Sequence, residues 1–147
     1  MITLRDGRPD DAAELGVLFT ASRQLLDFLP ALHTSEEDQA FIAGHILPNF
    51  RITVAEMDGG IAGYMAESPN WIEQLYLDPT MLRQGIGSAL LSAAQSRNEW
   101  LELWCFAQNL RGRAFYERHG FVAIKETDGS GNEEGAPDIR YRWDRKT

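Results

Sequence analysis

A strand, a glycine-containing loop and an apolar helix follow one another between Trp71 and Arg97, and this succession constrains the fold most. The strand ends at Asp78-Pro79, and Gly85 and Gly87 stand where the helix begins. The first amides of a helix have no partner within it and lie at the positive end of its dipole. Glycines here let phosphate oxygens approach the backbone, and Arg83 adds positive charge. The segment therefore predicts a phosphate or pyrophosphate site between a strand and a helix.

The spacing of the glycines distinguishes this loop from two other nucleotide-binding loops. A P-loop ends in Lys followed by Ser or Thr, and no lysine occurs in the segment. A dinucleotide fingerprint needs a third glycine in the pattern GxGxxG, and Leu90 occupies that position. Glycines that serve only the packing of a helix start remain the alternative interpretation.

A second helical pattern, Leu110–His119, follows one strand later. Asn109 is a favourable N-cap before it, and Gly120 is a favourable residue for the left-handed turn after it. We expect Phe115 to face the core. The hydroxyl of the adjacent Tyr116 is then directed toward a site between this helix and the preceding strands.

Hydrophobic periodicity along the rest of the chain predicts one mixed α/β domain over residues 1–147, with a largely antiparallel sheet. Its element order is β-α-α-β-β-β-α-β-α-β-β. The helices begin near Pro9, after the capping-box residue Thr34, and at Gly87 and Leu110. The expected buried stripe of the second helix consists of Phe41, Ile42, His45 and Ile46. The strands are expected at residues 2–5, Arg51–Met57, Ile61–Glu67, Trp71–Leu77, Leu101–Phe106, Phe121–Glu126 and Ile139–Trp143.

Charge and composition exclude several classes of function. The 22 acidic and 14 basic side chains give a net charge of −8, which disfavours nucleic-acid partners. No apolar run approaches the length needed to cross a membrane, and the N-terminal residues do not resemble a signal peptide. One cysteine, Cys105, and the absence of CxxC or HExxH spacings indicate neither a disulfide framework nor a metal site. We therefore expect a cytoplasmic protein.

The segments Leu75–Leu91 and Asn109–Phe121, in this order, closely resemble two motifs of the GNAT superfamily of acyl-CoA-dependent N-acyltransferases. The first is similar to its R/Q-x-x-G-x-G/A loop and the second to its N-x-x-A-x-x-F-Y-x-x-x-G-F helix, with Gly112 at the small-residue position. Leu82 departs from the pattern, because relatives have Arg or Gln there. The resemblance covers essentially the whole chain. It implies a central twisted, mostly antiparallel sheet with one splayed parallel strand pair and about four flanking helices.

The resemblance also implies acetyl-CoA as acyl donor, with direct transfer to a primary amine and no acyl-enzyme. In relatives the pantetheine arm inserts beside the fourth strand, the loop amides hold the pyrophosphate, and the tyrosine protonates the departing thiolate. Carried onto this chain, that tyrosine is Tyr116. The implied cofactor-binding residues are Leu75, Tyr76, Leu77, Leu82, Arg83, Gln84, Gly85, Ile86, Gly87, Ser88, Asn109, Gly112, Arg113 and Tyr116.

A general base is needed because an alkyl amine, with a pKa of about 10.4, is mostly protonated at neutral pH. Glu73 is the candidate, either directly or through a water, since it precedes the cofactor-binding part of the strand on the expected face of Leu75. An exposed carboxylate without a role is the alternative. Cys105 has no neighbouring base in the sequence and is expected to be a buried, unreactive thiol.

Two irregular segments, residues 28–34 and 128–138, are candidates for the acceptor site. The first is expected to form a lip over the acceptor or a simple cap for the second helix. The second is either a solvated hairpin loop or a cover whose acidic residues recognise a positively charged acceptor. The candidate substrate-binding residues are Phe28, Leu32, His33, Trp71, Glu133 and Glu134.

Three questions stay open at the level of sequence. The acceptor is a small amine or a peptide of unknown identity, and another acyl-CoA is an alternative donor. A non-catalytic acyl-CoA-binding regulatory module is the alternative function. Tyr141 and Trp143, which are expected to be exposed on the last strand, would support a homodimer.

Overall fold

The computed structural model describes residues 1–146, and seven strands form one mixed sheet in the order β1-β2-β3-β4-β5-β7-β6. Neighbouring strands are antiparallel except β4 and β5, which confirms the predicted fold class. The strands are β1 Thr3–Asp6, β2 Arg51–Met57, β3 Gly60–Ser68, β4 Trp71–Leu77, β5 Trp100–Phe106, β6 Val122–Glu126 and β7 Asp138–Asp144. The helices are α1 Ala12–Gln24, α2 Ser35–Phe41, α3 Ile86–Arg97 and α4 Leu110–Arg118.

The parallel strands β4 and β5 meet at one end only. Their ladder has a single register pair, Trp71 with Glu102, and the Glu102 amide donates to the Asn70 carbonyl at 3.0 Å. The Asn70 side chain donates to the Trp100 carbonyl at 3.0 Å and fixes this junction. Beyond it the strands diverge, and the predicted splayed pair opens a gap in the middle of the sheet.

Two apolar cores lie on opposite faces of the sheet. One lies beneath α3 and α4 and includes the fully buried Leu90, Leu91 and Leu101. The other lies beneath α1 and α2 and includes Leu15 and Ile42. Since both faces of the sheet are covered near β4, the gap beside this strand is walled by helices on both sides.

The second helix is only partly as predicted. Its capping box forms, because the Thr34 hydroxyl accepts from the Glu37 amide at 3.1 Å and the Glu37 carboxylate accepts from the Thr34 amide at 2.8 Å. After Phe41 the helix passes through a π-helical segment, Ile42–Ile46, and ends with Leu47–Asn49. The predicted burial of Phe41 and His45 is wrong: Phe41 is 40% exposed and stacks on the His45 imidazole at 5.2 Å.

The expected exposure of Tyr141 is also wrong, because Tyr141 is fully buried. Strand β6 takes the edge of the sheet and leaves β7 between β5 and β6, so one face of β7 belongs to the core. The Tyr141 hydroxyl donates to Glu117 at 2.6 Å and accepts from Arg113 at 3.2 Å. Trp143 is half-buried against Phe121. The two aromatic side chains are therefore not the exposed surface on which the homodimer was predicted, and the homodimer stays a prediction.

Within residues 1–146, no helix is both long enough and apolar enough to cross a bilayer.

Candidate active site

A cleft of about 750 Å³ lies where β4 and β5 diverge. The end of β4, the glycine loop, the start of α3, the start of α4 and the end of α1 form its walls. Twelve of the predicted cofactor-binding residues line this cleft, and these are Leu75, Tyr76, Leu77, Leu82, Arg83, Gly85, Ile86, Gly87, Ser88, Asn109, Gly112 and Tyr116.

The glycine loop has the backbone conformation of an anion site. Gly85 has a φ of 81°, a left-handed conformation that glycine adopts without steric cost. A Cβ on Gly87 would lie 3.1 Å from the Phe115 ring, so this glycine also lets α3 and α4 pack closely. The first hydrogen bond of α3 joins the Ala89 amide to the Gly85 carbonyl at 3.1 Å. The amides from Ile86 to Ser88 therefore have no acceptor inside the helix and fit phosphate oxygens.

Asn109 is held in place at the opposite wall by the helix that it caps. Its Oδ1 accepts from the Gly112 amide at 3.0 Å. A Cβ on Gly112 would lie 2.5 Å from the Asn109 Nδ2, which explains why the smallest residue stands there. The sequence pattern thus encodes one local structure, a cap whose amide group faces the cleft.

Tyr116 lines the cleft with a half-buried ring in a cluster of aromatic side chains. Its ring lies 5.7 Å from that of Phe121 in an edge-to-face arrangement. Burial raises the pKa of the Tyr116 hydroxyl well above its usual value, so the hydroxyl stays protonated at neutral pH. The same cause raises the pKa of the Cys105 thiol to about 12, and Cys105 is buried as predicted.

A second cavity, of about 1230 Å³, adjoins the cleft. Among the described residues only Tyr76 lines both spaces, so its side chain stands at their junction. Six carboxylates and three basic side chains line this cavity, which makes it acidic. They are Glu37, Asp38, Glu73, Glu133, Glu134 and Asp138, with Arg23, His33 and Lys125.

Glu73 faces the second cavity because β4 contains a bulge. In the register with β3, Gln74 pairs with Ala66 while Ile72 pairs with Glu67, which leaves Glu73 as the extra residue. Its expected position on the face of Leu75 is therefore wrong: Leu75 lines the cleft and Glu73 lines the second cavity. The Glu73 carboxylate is exposed and accepts from the Trp71 indole N–H at 2.8 Å.

Loop residues 127–137 cover the second cavity and contact the first helix and the segment after it. Glu134 forms an ion pair of 2.8 Å with Arg23, whose guanidinium lies 5.4 Å from the Phe19 ring centre and beside Tyr76. Burial raises the pKa of the Tyr76 hydroxyl, and the neighbouring Arg23 partly offsets that rise.

His33 and Glu133 make the second contact between these segments, at 2.6 Å. The hydrogen bond with Glu133 raises the pKa of His33 and so favours a charged pair. Residues 28–34 and 128–138, both predicted from sequence, thus meet above the second cavity.

Five of the predicted site residues lie elsewhere. Gln84, Leu32 and Trp71 line neither space, although Trp71 bonds Glu73. Arg113 lies outside the cleft and binds the Ala107 carbonyl at 3.2 Å. Phe28 lines the cleft rather than the second cavity and packs against Phe106 with 5.9 Å between ring centres.

Several lining residues were not predicted from the sequence. Arg111, in the first turn of α4, and Arg118, at its end, both line the cleft and add two cations to it. Their presence within the second motif was a usable signal, because cations near a phosphate loop favour anion binding. Arg23 and Asp38 enter the second cavity from helices far away in sequence, and no local pattern marks them. In residues 1–146 no group of three His, Cys, Asp or Glu side chains is placed to hold a metal ion.

Comparison with known proteins gives one family. Residues 48–123 match the family model described as "Acetyltransferase (GNAT) domain". An uncharacterized N-acetyltransferase of Archaeoglobus fulgidus is 31% identical over 98 residues, which cover 56% of this chain and 66% of that protein. The chain spans between half and two thirds of the length of the curated relatives that it matches.

Solved structures share the fold at low sequence identity. The apo form of YjaB from Escherichia coli superposes with a TM-score of 0.81 at 23% identity, covering 97% of both chains. The PaiA N-acetyltransferase from Thermoplasma acidophilum, solved in complex with coenzyme A, superposes with a TM-score of 0.74 at 20% identity, covering 99% of both chains.

Proposed function

The chain belongs to the GNAT acetyltransferase family, and on this premise we propose that it transfers an acetyl group from acetyl-CoA directly to a primary amine. The observation that carries the proposal is the junction at Tyr76, where a cleft with unpaired helix amides meets an acidic cavity. One space is suited to an anionic donor and the other to a cationic acceptor. Within residues 1–146 the two spaces share only Tyr76, so a donor in the cleft and an acceptor in the cavity would meet beside it.

The donor is proposed to bind in the cleft by three kinds of contact. The amides of Ile86, Gly87 and Ser88 receive the diphosphate at the positive end of the α3 dipole. The main chain of residues 75–77 has lost its partner strand, because β5 diverges, and offers hydrogen bonds to the amides of a pantetheine arm. Asn109 contacts that arm from the opposite wall.

Two side chains carry the proton transfers in this proposal. Glu73 accepts a proton from the acceptor ammonium, directly or through a water, and so generates the free amine. The amine then attacks the thioester carbonyl, the C–N bond forms and the C–S bond breaks. Tyr116, which is protonated, donates its proton to the departing thiolate and is restored by the second proton that the nitrogen loses on becoming an amide. The high pKa of the Cys105 thiol disfavours a route through an acyl-cysteine.

The acceptor is proposed to be a cation that enters through the second cavity. Six carboxylates against three basic side chains give that cavity an excess of negative charge. Glu133 and Glu134 are each paired with a cation of the opposite wall, so the loop that carries them closes the cavity as well as charging it. This field concentrates ammonium groups beside Glu73.

The test has two stages. Thermal stability is measured with acetyl-CoA and free CoA, and with NADH and ATP as controls. A ligand that binds only the native state at 100 times its Kd adds about 2.7 kcal/mol to the free energy of unfolding. Thiol release from acetyl-CoA is then followed with a panel of primary amines. The proposal is supported if acetyl-CoA and CoA stabilise the protein, NADH and ATP do not, and thiol release then depends on the amine. No stabilisation by millimolar acetyl-CoA refutes it, and stabilisation without turnover on any amine indicates a binding module instead.

A further inference from the structure

A chain of hydrogen bonds connects the glycine loop to the end of α4. The hydroxyl of Ser88, in the first turn of α3, lies 3.0 Å from the Nε2 of His119. The Nδ1 of His119 lies 2.8 Å from the carbonyl oxygen of Phe115. Ser88 lines the cleft, whereas His119 stands behind it and is half-buried.

The donor and acceptor properties of the groups fix the direction of both hydrogen bonds. A carbonyl oxygen only accepts hydrogen bonds, so the Nδ1 of His119 must carry a hydrogen and donate a hydrogen bond to the Phe115 carbonyl. In the neutral imidazole the Nε2 is then bare and accepts, and the Ser88 hydroxyl must be its donor. Ser88 consequently presents only lone pairs to the cleft. That orientation opposes an anion at the same place.

Protonation of His119 reverses the hydrogen bond between the Ser88 hydroxyl and the Nε2. Both ring nitrogens of an imidazolium donate, so Ser88 accepts from Nε2 and its own hydrogen becomes free for the cleft. A phosphate oxygen in the cleft could then accept a hydrogen bond from the Ser88 hydroxyl. The positive charge of the His119 imidazolium, behind Ser88, would attract the same phosphate.

The surroundings of His119 leave this charge without a protein counter-ion. From α3 it is contacted by the uncharged Ser88 and by Gln95, whose Nε2 donates to the His119 carbonyl at 3.1 Å. From α4 the Phe115 ring packs at 4.5 Å, and the neighbouring Arg118 is itself a cation of the cleft. Within residues 1–146 no carboxylate lies within 4.0 Å of a His119 ring nitrogen. A diphosphate in the cleft is the anion that would complete the arrangement.

We propose that His119 is a positioning residue for the acyl donor: it sets the direction of the Ser88 hydroxyl and takes up a proton when the diphosphate binds. This inference rests on the proposed function, because it needs a diphosphate in the cleft. Coupling between two binding events is reciprocal, so protonation strengthens donor binding by the factor by which the donor favours protonation. Donor affinity therefore rises as the pH falls.

Calorimetric titration of the whole chain with acetyl-dephospho-CoA measures this coupling, since that donor keeps the diphosphate but lacks the titrating 3′-phosphate. The wild type is expected to bind about tenfold more tightly at pH 5.5 than at pH 8, a factor typical of coupled sites. Repeating the titration in buffers of different ionisation enthalpy should reveal net proton uptake. His119→Gln should remove most of the pH dependence and the proton uptake. Ser88→Ala should reduce both, because it removes the hydroxyl and leaves the imidazole in place.

Ser92→Ala is the matched control, because Ser92 is exposed on the same helix and does not line the cleft. It should keep the wild-type pH dependence. Nitrogen-15 spectra of the free protein at pH 8 provide an independent readout and should report the tautomer of His119 with hydrogen on Nδ1.

The outcomes separate this inference from the function on which it rests. Binding whose pH dependence is the same in the wild type and in both variants overturns the inference and leaves the proposed function standing. An Nε2–H tautomer in the free protein overturns it as well. No binding of the donor at any pH overturns both.

Discussion

Replacement of Tyr116 by phenylalanine should separate catalysis from stability. The ring keeps its contacts with Phe121 and the neighbouring aromatic side chains, since phenylalanine has the same shape. In the described part of the chain the Tyr116 hydroxyl has no hydrogen-bond partner, so its loss should change the free energy of unfolding by less than about 1 kcal/mol. Loss of a general acid lowers kcat by about a hundredfold or more, which corresponds to about 2.7 kcal/mol of transition-state stabilisation.

The assay is thiol release at saturating acetyl-CoA and acceptor, with acetyl-CoA affinity measured separately. We expect kcat of Tyr116→Phe to fall while the Kd for acetyl-CoA stays within about twofold, because the hydroxyl acts on the leaving group rather than in the ground state. Since burial holds the pKa of Tyr116 well above its usual value, the wild type should show no loss of this acid up to pH 9.

Tyr141→Phe is the matched control for Tyr116. Its ring lies 6.3 Å from that of Tyr116, but its hydroxyl bonds Glu117 and Arg113 behind the cleft. This variant should lose about 2 kcal/mol of stability, because both partners of the hydroxyl are charged, and it should keep its kcat. Wild-type turnover in Tyr116→Phe, or an equal loss of turnover in both variants, would refute the role of Tyr116 as the acid.

Three further variants test other parts of the site. Glu73→Gln should lower kcat/KM for the amine by at least tenfold near pH 7 and less at pH 9, where more free amine exists; a pH-rate profile parallel to the wild type would remove Glu73 from the mechanism. Gly112→Ala gains about 1 kcal/mol of helix propensity but costs a similar amount at the Asn109 cap, so the free energy of unfolding measured by chemical denaturation should change little. Acetyl-CoA binding should weaken several-fold because Asn109 is displaced, and unchanged binding would show that the position of Asn109 does not matter for the donor. Cys105→Ala should retain at least half of the wild-type kcat, because its buried thiol has a pKa of about 12, and a complete loss of turnover in a folded variant would point to an acyl-cysteine.

Short-range patterns account for what was predicted well. The Asn109 cap, the left-handed Gly85 and the capping box at Thr34 each depend on backbone atoms within four residues. Such contacts are encoded by adjacent side chains, so a linear reading recovers them. The family resemblance then assigned the glycine loop and the Tyr116 helix to one cofactor site.

The wrong predictions all concern strand register and packing between elements rather than the conformation of one element. Glu73 was expected on the face of Leu75, but a bulge set by pairing with β3 turns it to the other cavity. Tyr141 was expected to be exposed, and it is buried because β6 takes the sheet edge. Phe41 follows an apolar helical period, yet it lies beside an open cavity rather than in the core.

By itself the sequence indicated the family through the resemblance of two motifs. It also predicted the order of the elements and the glycine loop, because these follow from hydrophobic period and local backbone geometry. Only the tertiary structure decided how the second cavity is closed: it brings Arg23 to Glu134 and His33 to Glu133, residues that are 111 and 100 positions apart. Ion pairs of this kind need a particular sheet register and loop path, and many sequences satisfy the same period without forming them. The proposed donor site is therefore encoded by residues close in sequence, and the proposed acceptor cavity depends on the packing of distant segments.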